Sequence, residues 1–148
     1  MMMQNQTHIR RWNIFELTLA GPRDGNPFRD IRLKATFFNR NRSVAVNGFY
    51  DGDGQYKVRF MPDMTGEWSC TTESNSPELD KQKAQFTCLE PESGNHGPVR
   101  VSRTWHFTYD DGTPYYPIGT TCYVWNHQGD ELEEQTLPAA IDAAGDEH

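Results

Sequence analysis

The feature that most constrains the fold is the alternation of apolar and polar residues within the stretch 48–68, GFYDGDGQYKVRFMPDMTGEW. Residues 55–60 (QYKVRF) change character at every step, which is the period of a β-strand that buries one face. The preceding DGDG supplies a turn, because glycine adopts positive φ angles freely and aspartate bonds its own backbone. A strand pair of this kind must lay its apolar face on a second layer. The stretch therefore predicts a β-sandwich.

Short alternating segments on both sides predict the other strands of an all-β fold, an immunoglobulin-like antiparallel β-sandwich over residues 12–90. Polar segments rich in turn residues separate the strands, and residues 21–28 and 74–83 are predicted to be loops. Residues 1–11 precede the first alternating segment and are predicted to be disordered. The further predicted strands are residues 12–19, 31–37, 43–47, a run that begins at Trp68, and 84–88.

The composition changes after residue 90, where PESGNHGP (91–98) predicts a linker and a domain boundary. Residues 99–148 are predicted to begin with a short strand and a β-hairpin, which turns at residues 110–112. A segment dense in β-forming residues follows at 120–125. The acidic residues after 130 suit the first turn of a helix, so we predict a short helical acidic tail.

Charge and hydropathy argue against two classes of partner. The net charge of -7 comes from the tail alone, because residues 1–129 hold 14 acidic and 14 basic residues. The basic residues near the N-terminus alternate with apolar ones, which favours a solvated sheet face over a nucleic-acid surface. No run approaches ~18 consecutive apolar residues, so we expect no membrane partner. The first residues, MMMQNQTHIRRW, lack the apolar core of a secretory signal, which predicts a cytoplasmic location.

The three cysteines cannot all pair with one another. Cys70 and Cys88 fall on inward-facing positions of predicted strands, which favours buried thiols that act as small apolar side chains. A disulfide between these two residues stays open as the alternative. Neither CxxC nor HxxxH spacing occurs in the sequence, so we predict no metal site and no cofactor.

Five motifs of the sandwich are informative together: FEL (15–17), GNPF (25–28), GFYDG (48–52), the strand 56–62 and GEW (66–68). They resemble the β-sandwich domain at the N-terminus of a family of bacterial glycoside hydrolases. In that family an apiosidase-like (β/α)₈ barrel follows the sandwich. The segment 107–125, FTYDDGTPYYPIGTTCYVW, is similar to the hairpin and first barrel strand of those enzymes.

A complete (β/α)₈ barrel needs about 250 residues, whereas only residues 99–148 follow the predicted linker. The resemblance therefore implies a non-catalytic accessory domain, truncated just after the first barrel strand. Its role would be structural, with packing against the catalytic barrel of the parent enzyme, and the chain alone would not be an enzyme. The alternative is a stand-alone carbohydrate-binding or protein-interaction module. Such a binding module would expose a platform of aromatic residues, whereas we expect most aromatic side chains to fill the core.

The same resemblance implies substrate-binding roles in the parent enzyme for Tyr123, Trp125 and His127, at the end of the first barrel strand. Trp125 would stack on a sugar, and His127 would bond a hydroxyl group. Without barrel neighbours, residues 114–125 would present an open strand edge, which predicts a homodimer through this segment. The expected partners are therefore the catalytic barrel, a carbohydrate and a second copy of the chain.

Two carboxylate pairs in turns, Asp51/Asp53 and Asp110/Asp111, have the composition of a glycosidase acid and base. Exposed turn carboxylates have no cause for a raised pKa, so we predict no catalytic residue in either pair. The DGDG motif is similar to the start of a calcium loop. Its twelfth position, however, is Pro62 where the calcium loop needs Glu.

His96 in the predicted linker and His106 in the predicted hairpin are expected to be structural or solvated residues. Neither has a partner at the spacing of a metal or nucleophile motif.

Overall fold

The computed structural model describes residues 7–40 and 42–119 of the chain. A first compact unit ends at Pro114, and a second begins at Tyr115. Nearly all regular structure in these residues is β-strand, so the all-β prediction is confirmed. The elements are β1 (His8–Arg10), β2 (Phe15–Ala20), α1 (Pro27–Asp30), β3 (Leu33–Asn39), β4 (Arg42–Asn47), β5 (Phe49–Gly52), β6 (Gln55–Phe60), β7 (Gly66–Ser74), β8 (Lys83–Leu89), β9 (Val99–Ser102), β10 (His106–Tyr109) and β11 (Pro114–Tyr115).

Two sheets form the body of the first unit. The larger has the strand order β1-β8-β7-β3-β4, and the smaller has the order β2-β6-β5. The turn predicted at DGDG (51–54) connects β5 and β6, and it places Asp53 and Gly54 at φ angles of 49° and 74°. Positive φ at both central residues is the geometry that matches the twist of a two-residue hairpin. The next strand, β7, then crosses into the larger sheet.

The core lies between these two sheets and is built from the alternating apolar positions. Phe15 of β2 stacks on Phe86 of β8, with ring centroids 4.2 Å apart. Phe37 of β3 stacks on Phe60 of β6 at the same separation. Trp68 of β7 is only 1% exposed and donates its indole N–H to the carbonyl oxygen of Met64 at 2.9 Å. The aromatic side chains expected to fill the core therefore do so.

Three segments differ from the prediction. His8–Arg10 lie in the stretch expected to be disordered, yet they form β1, because Ile9 adds an apolar side chain to the core. β2 begins at Phe15 rather than at residue 12, because Trp12 has a φ of 70°, outside the β region. In the predicted loop 21–28, Pro27 starts the short helix α1, and its fixed φ suits a first helical turn.

Cys70 and Cys88 are both buried and both free, so the interpretation as buried thiols is confirmed and the open disulfide is not formed. Burial raises the pKa of both thiols, that of Cys88 to about 11. They therefore stay protonated at neutral pH and pack as small apolar groups.

Beyond β8 the chain forms a two-stranded antiparallel ribbon from β9 and β10, to which we refer as the β9–β10 ribbon (residues 99–109). Its register pairs Val101 with Phe107 and Val99 with Tyr109. Because residues opposite each other share a face, these four side chains lie on one side of the ribbon. The sheet containing the ribbon also includes β11. The predicted segment 120–125 and the helical acidic tail lie outside the described residues, and the predicted domain boundaries stay a prediction.

Candidate functional site

The first carboxylate pair, Asp51 and Asp53, belongs to the β5–β6 hairpin. Asp51 Oδ2 is 2.5 Å from Lys57 Nζ, and the same ammonium group is 3.5 Å from Glu16 Oε1. Glu16 in turn accepts a hydrogen bond from Arg59 Nε at 2.7 Å, which lowers the pKa of Glu16. The hydrogen bond to Asp51 likewise raises the pKa of Lys57. The arrangement is a row of surface ion pairs that joins Asp51, Lys57, Glu16 and Arg59.

The second carboxylate pair, Asp110 and Asp111, lies at the base of the ribbon and forms hydrogen bonds there. Arg100 Nε donates to Asp110 Oδ1 at 2.9 Å. Asp111 accepts hydrogen bonds from Thr113 N at 2.9 Å and from His96 Nδ1 at 2.7 Å. These two bonds, the backbone one foremost, lower the pKa of Asp111 to about 2. A general acid needs a raised pKa, so Asp111 acts here as a charged acceptor that holds its neighbours in place.

The predicted linker is fastened to the sandwich and to the ribbon. Asn95 Nδ2 donates to Asn13 Oδ1 at 2.9 Å, on the segment that leads into β2. The next residue is His96, and its carbonyl oxygen accepts a hydrogen bond from the backbone N–H of Asp111 at 3.3 Å. The His96 ring also forms a hydrogen bond with the Asp111 carboxylate. We call this cluster, residues 95–97 with Trp12, Asn13 and Asp111, the junction.

Gly97 lies against the indole ring of Trp12 in the junction. Gly97 has a φ of +81°, and a Cβ at this position would lie 2.6 Å from Cε2 of the Trp12 indole. Trp12 is 7% exposed. The guanidinium carbon of Arg11 lies over the same indole ring, 4.1 Å from its centroid. Only glycine fits both this backbone conformation and this distance. The junction is therefore a packed connection between sandwich and ribbon.

A cleft of about 730 Å³ opens beside the strand ends of β3, β4 and β7. Asn75 is one of its lining residues. Its Oδ1 accepts the backbone N–H of Arg32 at 2.8 Å, and its Nδ2 donates to the Asp30 carbonyl at 2.7 Å. Ser74 Oγ adds a hydrogen bond to the Arg32 carbonyl at 2.7 Å. These bonds fix the backbone around the cleft, while Ile31 and Leu33 give it an apolar side.

The polar lining of the cleft includes Arg32, Lys34, Asn47 and Glu73. Within the part of the chain that the structure describes, no hydrogen bond or ion pair engages the side chains of Arg32, Lys34 or Glu73. Its volume falls in the range of small-molecule sites, about 300–1,000 Å³. Sequence reasoning missed this cleft, because its charged residues alternate with apolar ones and look like an ordinary outer sheet face.

The most exposed aromatic side chain of the first unit is Trp105, which is 86% exposed at the tip of the ribbon. The two residues before it, Arg103 and Thr104, have φ angles of 48° and 71°. A positive φ is costly for a β-branched residue such as threonine. The tip thus combines a strained turn with an exposed tryptophan. In the sequence, the only sign of this exposed residue is the position of Trp105 shortly after the predicted strand that contains Val99 and Val101.

The predicted substrate-binding residues Tyr123, Trp125 and His127 lie outside the described residues. Within residues 7–40 and 42–119, His, Cys, Asp and Glu side chains form no cluster of three or more that could hold a metal ion. His106 is an exposed residue of β10. Within the residues that the structure describes, no helix has the length and hydrophobicity needed to span a membrane.

One comparison with known proteins finds a likeness within the N-terminal half of the chain. Residues 8–75 match a sequence family described as a domain of unknown function (DUF5060). The matched residues run from β1 to the end of β7, so they include the strands of both sandwich sheets except β8. A search of curated proteins gave no match.

Solved structures give a more particular likeness. One similar structure is the crystal structure of a "putative glycoside hydrolase from Bacteroides vulgatus ATCC 8482". It is 43% identical in sequence with a TM-score of 0.82, and the match covers 90% of this chain but 26% of that one. The chain therefore spans about a quarter of the length of the Bacteroides protein.

Proposed function

We propose that this chain is a non-catalytic accessory β-sandwich domain of a glycoside hydrolase. The observation that carries the proposal is the match at 43% identity over 90% of this chain, which takes up only 26% of the Bacteroides vulgatus protein. A domain that accounts for a quarter of a longer enzyme leaves room for a separate catalytic domain. In keeping with the sequence resemblance, that domain is an apiosidase-like (β/α)₈ barrel, and the sandwich is immunoglobulin-like.

The electrostatics of the described carboxylates favour a structural role. A glycosidase needs one carboxylic acid with a raised pKa and a second carboxylate across the sugar. Here the pKa of Asp111 is lowered to about 2, and Asp51 lies in an ion pair with Lys57. The role of the chain is then to pack beside the catalytic barrel, its principal partner. The cytoplasmic location and a homodimer through residues 114–125 are proposals that rest on the sequence alone.

The direct test is an activity comparison with a panel of aryl glycosides. We expect the 148-residue chain to release no aryl group under conditions in which the full-length Bacteroides vulgatus protein does. A second preparation of the chain, with Asp51 and Asp111 both replaced by Asn, serves as the background. Hydrolysis by the unmodified chain above that background would show that it carries its own active site.

The cleft beside β3, β4 and β7 favours a second candidate, a stand-alone carbohydrate-binding module. Three charged side chains without partners in the described residues, Arg32, Lys34 and Glu73, face an opening of sugar size. Titration with xylohexaose or cellohexaose, followed by NMR, should then shift the amide signals of β3 and β7. Lys34→Ala should abolish these shifts, while Arg103→Ala, at the ribbon tip, should leave them unchanged. An absence of shifts at millimolar oligosaccharide would remove this candidate.

A further inference from the structure

We infer that the apolar face of the β9–β10 ribbon, together with Trp105 at its tip, is the surface through which the sandwich docks on the catalytic part of the longer enzyme. The inference rests on the proposed function and assigns its interface to particular side chains. We call this surface the ribbon face and define it as Val99, Val101, Trp105 and Phe107.

The side chains of the ribbon face are exposed to solvent. Val99, Val101 and Phe107 are 40%, 69% and 44% exposed, and Trp105 is 86% exposed. The register places the two valines and Phe107 on the same side of the ribbon. The other side carries Arg100, Ser102, His106 and Thr108. The apolar side of such an amphipathic pair of strands calls for a covering layer.

The ribbon is held at its base, whereas its tip is exposed. At the base, Arg100 pairs with Asp110, and the His96 ring lies 5.4 Å from the ring of Tyr109. The junction therefore fixes the direction of the ribbon before any partner binds. A surface that is ordered in advance loses little entropy on binding. Exposed tryptophan on such a surface is typical of the residues that contribute most to protein interfaces.

The area of the ribbon face indicates how large its partner must be. A large aromatic side chain buries about 150–250 Å², so at their exposed fractions Trp105 and Phe107 offer roughly 200–330 Å², and the two smaller valines add less than that. A standard interface needs about 800 Å² from each partner. Two copies that meet only through this face would fall short of that area. The catalytic part of a longer enzyme is a larger body that can also contact the residues around the ribbon.

The experiment is to co-express the full 148-residue chain with the part of the Bacteroides vulgatus protein that lies outside the matched quarter. Co-expression removes the need for either part to fold alone. Capture through a tag on this chain should retain that part. Val101→Glu should reduce the captured amount by about tenfold or more, the effect of losing one central contact. Ser102→Glu is the matched control, because it places the same charge one residue later on the opposite side of the ribbon. It should change capture by less than about twofold.

A second variant controls for the case in which Val101→Glu does not fold. Trp105→Ala changes a side chain that contributes little to the fold, and it should weaken capture while leaving the thermal unfolding midpoint unchanged. Equal capture by all variants would overturn the ribbon face and leave the proposed function standing. No capture by the unmodified chain would count against both. If the chain alone forms a dimer by light scattering and Val101→Glu dissociates it, the occupant is a second copy and the inference is wrong.

Discussion

The sandwich and the β9–β10 ribbon use the same alternating pattern, but they differ in what covers their apolar side chains. Phe15, Phe37 and Val58 in the sandwich are fully buried between two sheets. Val101 and Phe107 in the ribbon alternate with polar residues in the same way, yet both are exposed. The difference shows that an alternation of apolar and polar residues specifies a strand with one apolar and one polar face. It does not specify which part of the protein, or which partner, covers the apolar face.

The sharpest way to break this comparison is to make the same substitution in both regions. Trp68→Ala should cost about 3–5 kcal/mol of unfolding free energy, because it leaves a large cavity in the core. Trp105→Ala should change the unfolding free energy by no more than about 0.5 kcal/mol, since the side chain is exposed. Urea denaturation measures both. If Trp68→Ala does not fold, Trp68→Phe supplies a milder core variant. Equal losses at the two positions would contradict the contrast between core and ribbon.

The junction, which links the two regions, gives the next largest effect. Gly97→Ala should cost about 2–4 kcal/mol, because it adds a positive-φ penalty to a contact with the Trp12 ring. Gly112→Ala is the matched control: its φ is +91°, and no described atom outside its chain neighbours lies within 4 Å of the added Cβ. It should cost only about 1–2 kcal/mol. Thermal unfolding compares the two, and a larger loss at Gly112 would argue against close packing in the junction.

A smaller effect is expected at the ribbon tip, and it has the opposite sign. Thr104→Gly should stabilise the protein by about 0.5–1 kcal/mol, because glycine adopts the φ of 71° without the strain of a β-branched residue. Thr108→Gly, in the middle of β10, should instead destabilise it by about the same amount, since glycine weakens a strand. Hydrogen exchange of the ribbon amides reports both changes locally. Destabilisation by Thr104→Gly would show that the tip is not strained.

The smallest effect concerns pH and the carboxylate of Asp111. Its folded pKa of about 2 lies below the ordinary value of 3.8. Its contribution to stability is therefore present above pH 3.8 and is lost as the pH falls towards 2. Asp111→Asn should flatten the pH dependence of the unfolding midpoint in this window. A carboxyl titration by NMR with a midpoint near 4 would show that the bonds from Thr113 and His96 are not maintained in solution.

Much of the sandwich could be predicted from the sequence, because alternation records which side of each strand is apolar. The buried positions of β6, β7 and β8 follow the pattern directly. β1 could not be predicted, since three residues carry too short a pattern, and Ile9 becomes a core residue only once β8 lies beside it. Leu79, in a segment expected to be a polar loop, is fully buried, and its carbonyl accepts the Thr72 hydroxyl at 2.5 Å. Contacts of this kind depend on the folded loop as a whole.

The candidate sites were less accessible to sequence reasoning. The carboxylate pairs stood out in the sequence, but their partners, such as His96 for Asp111, come from distant segments. Asn75, one of the lining residues of the cleft, joins the end of β7 to the segment before β3. No local pattern encodes such a bridge. Trp105 was visible as a residue, whereas its exposure depends on a turn with two consecutive positive φ angles.

The parallel pairing of β1 with β8 has a further consequence for the solubility of the protein. A long strand at the border of a sheet offers unpaired amide and carbonyl groups to other molecules and promotes aggregation. Here three residues, His8–Arg10, pair with Thr87–Leu89, so they cover the last three of the seven residues of β8 and shorten its open border. β1 thus reduces the number of backbone groups of β8 that could pair with a strand of another molecule. Removing residues 1–10 would be expected to bare β8 and shorten the time to precipitation, even if the core remained folded.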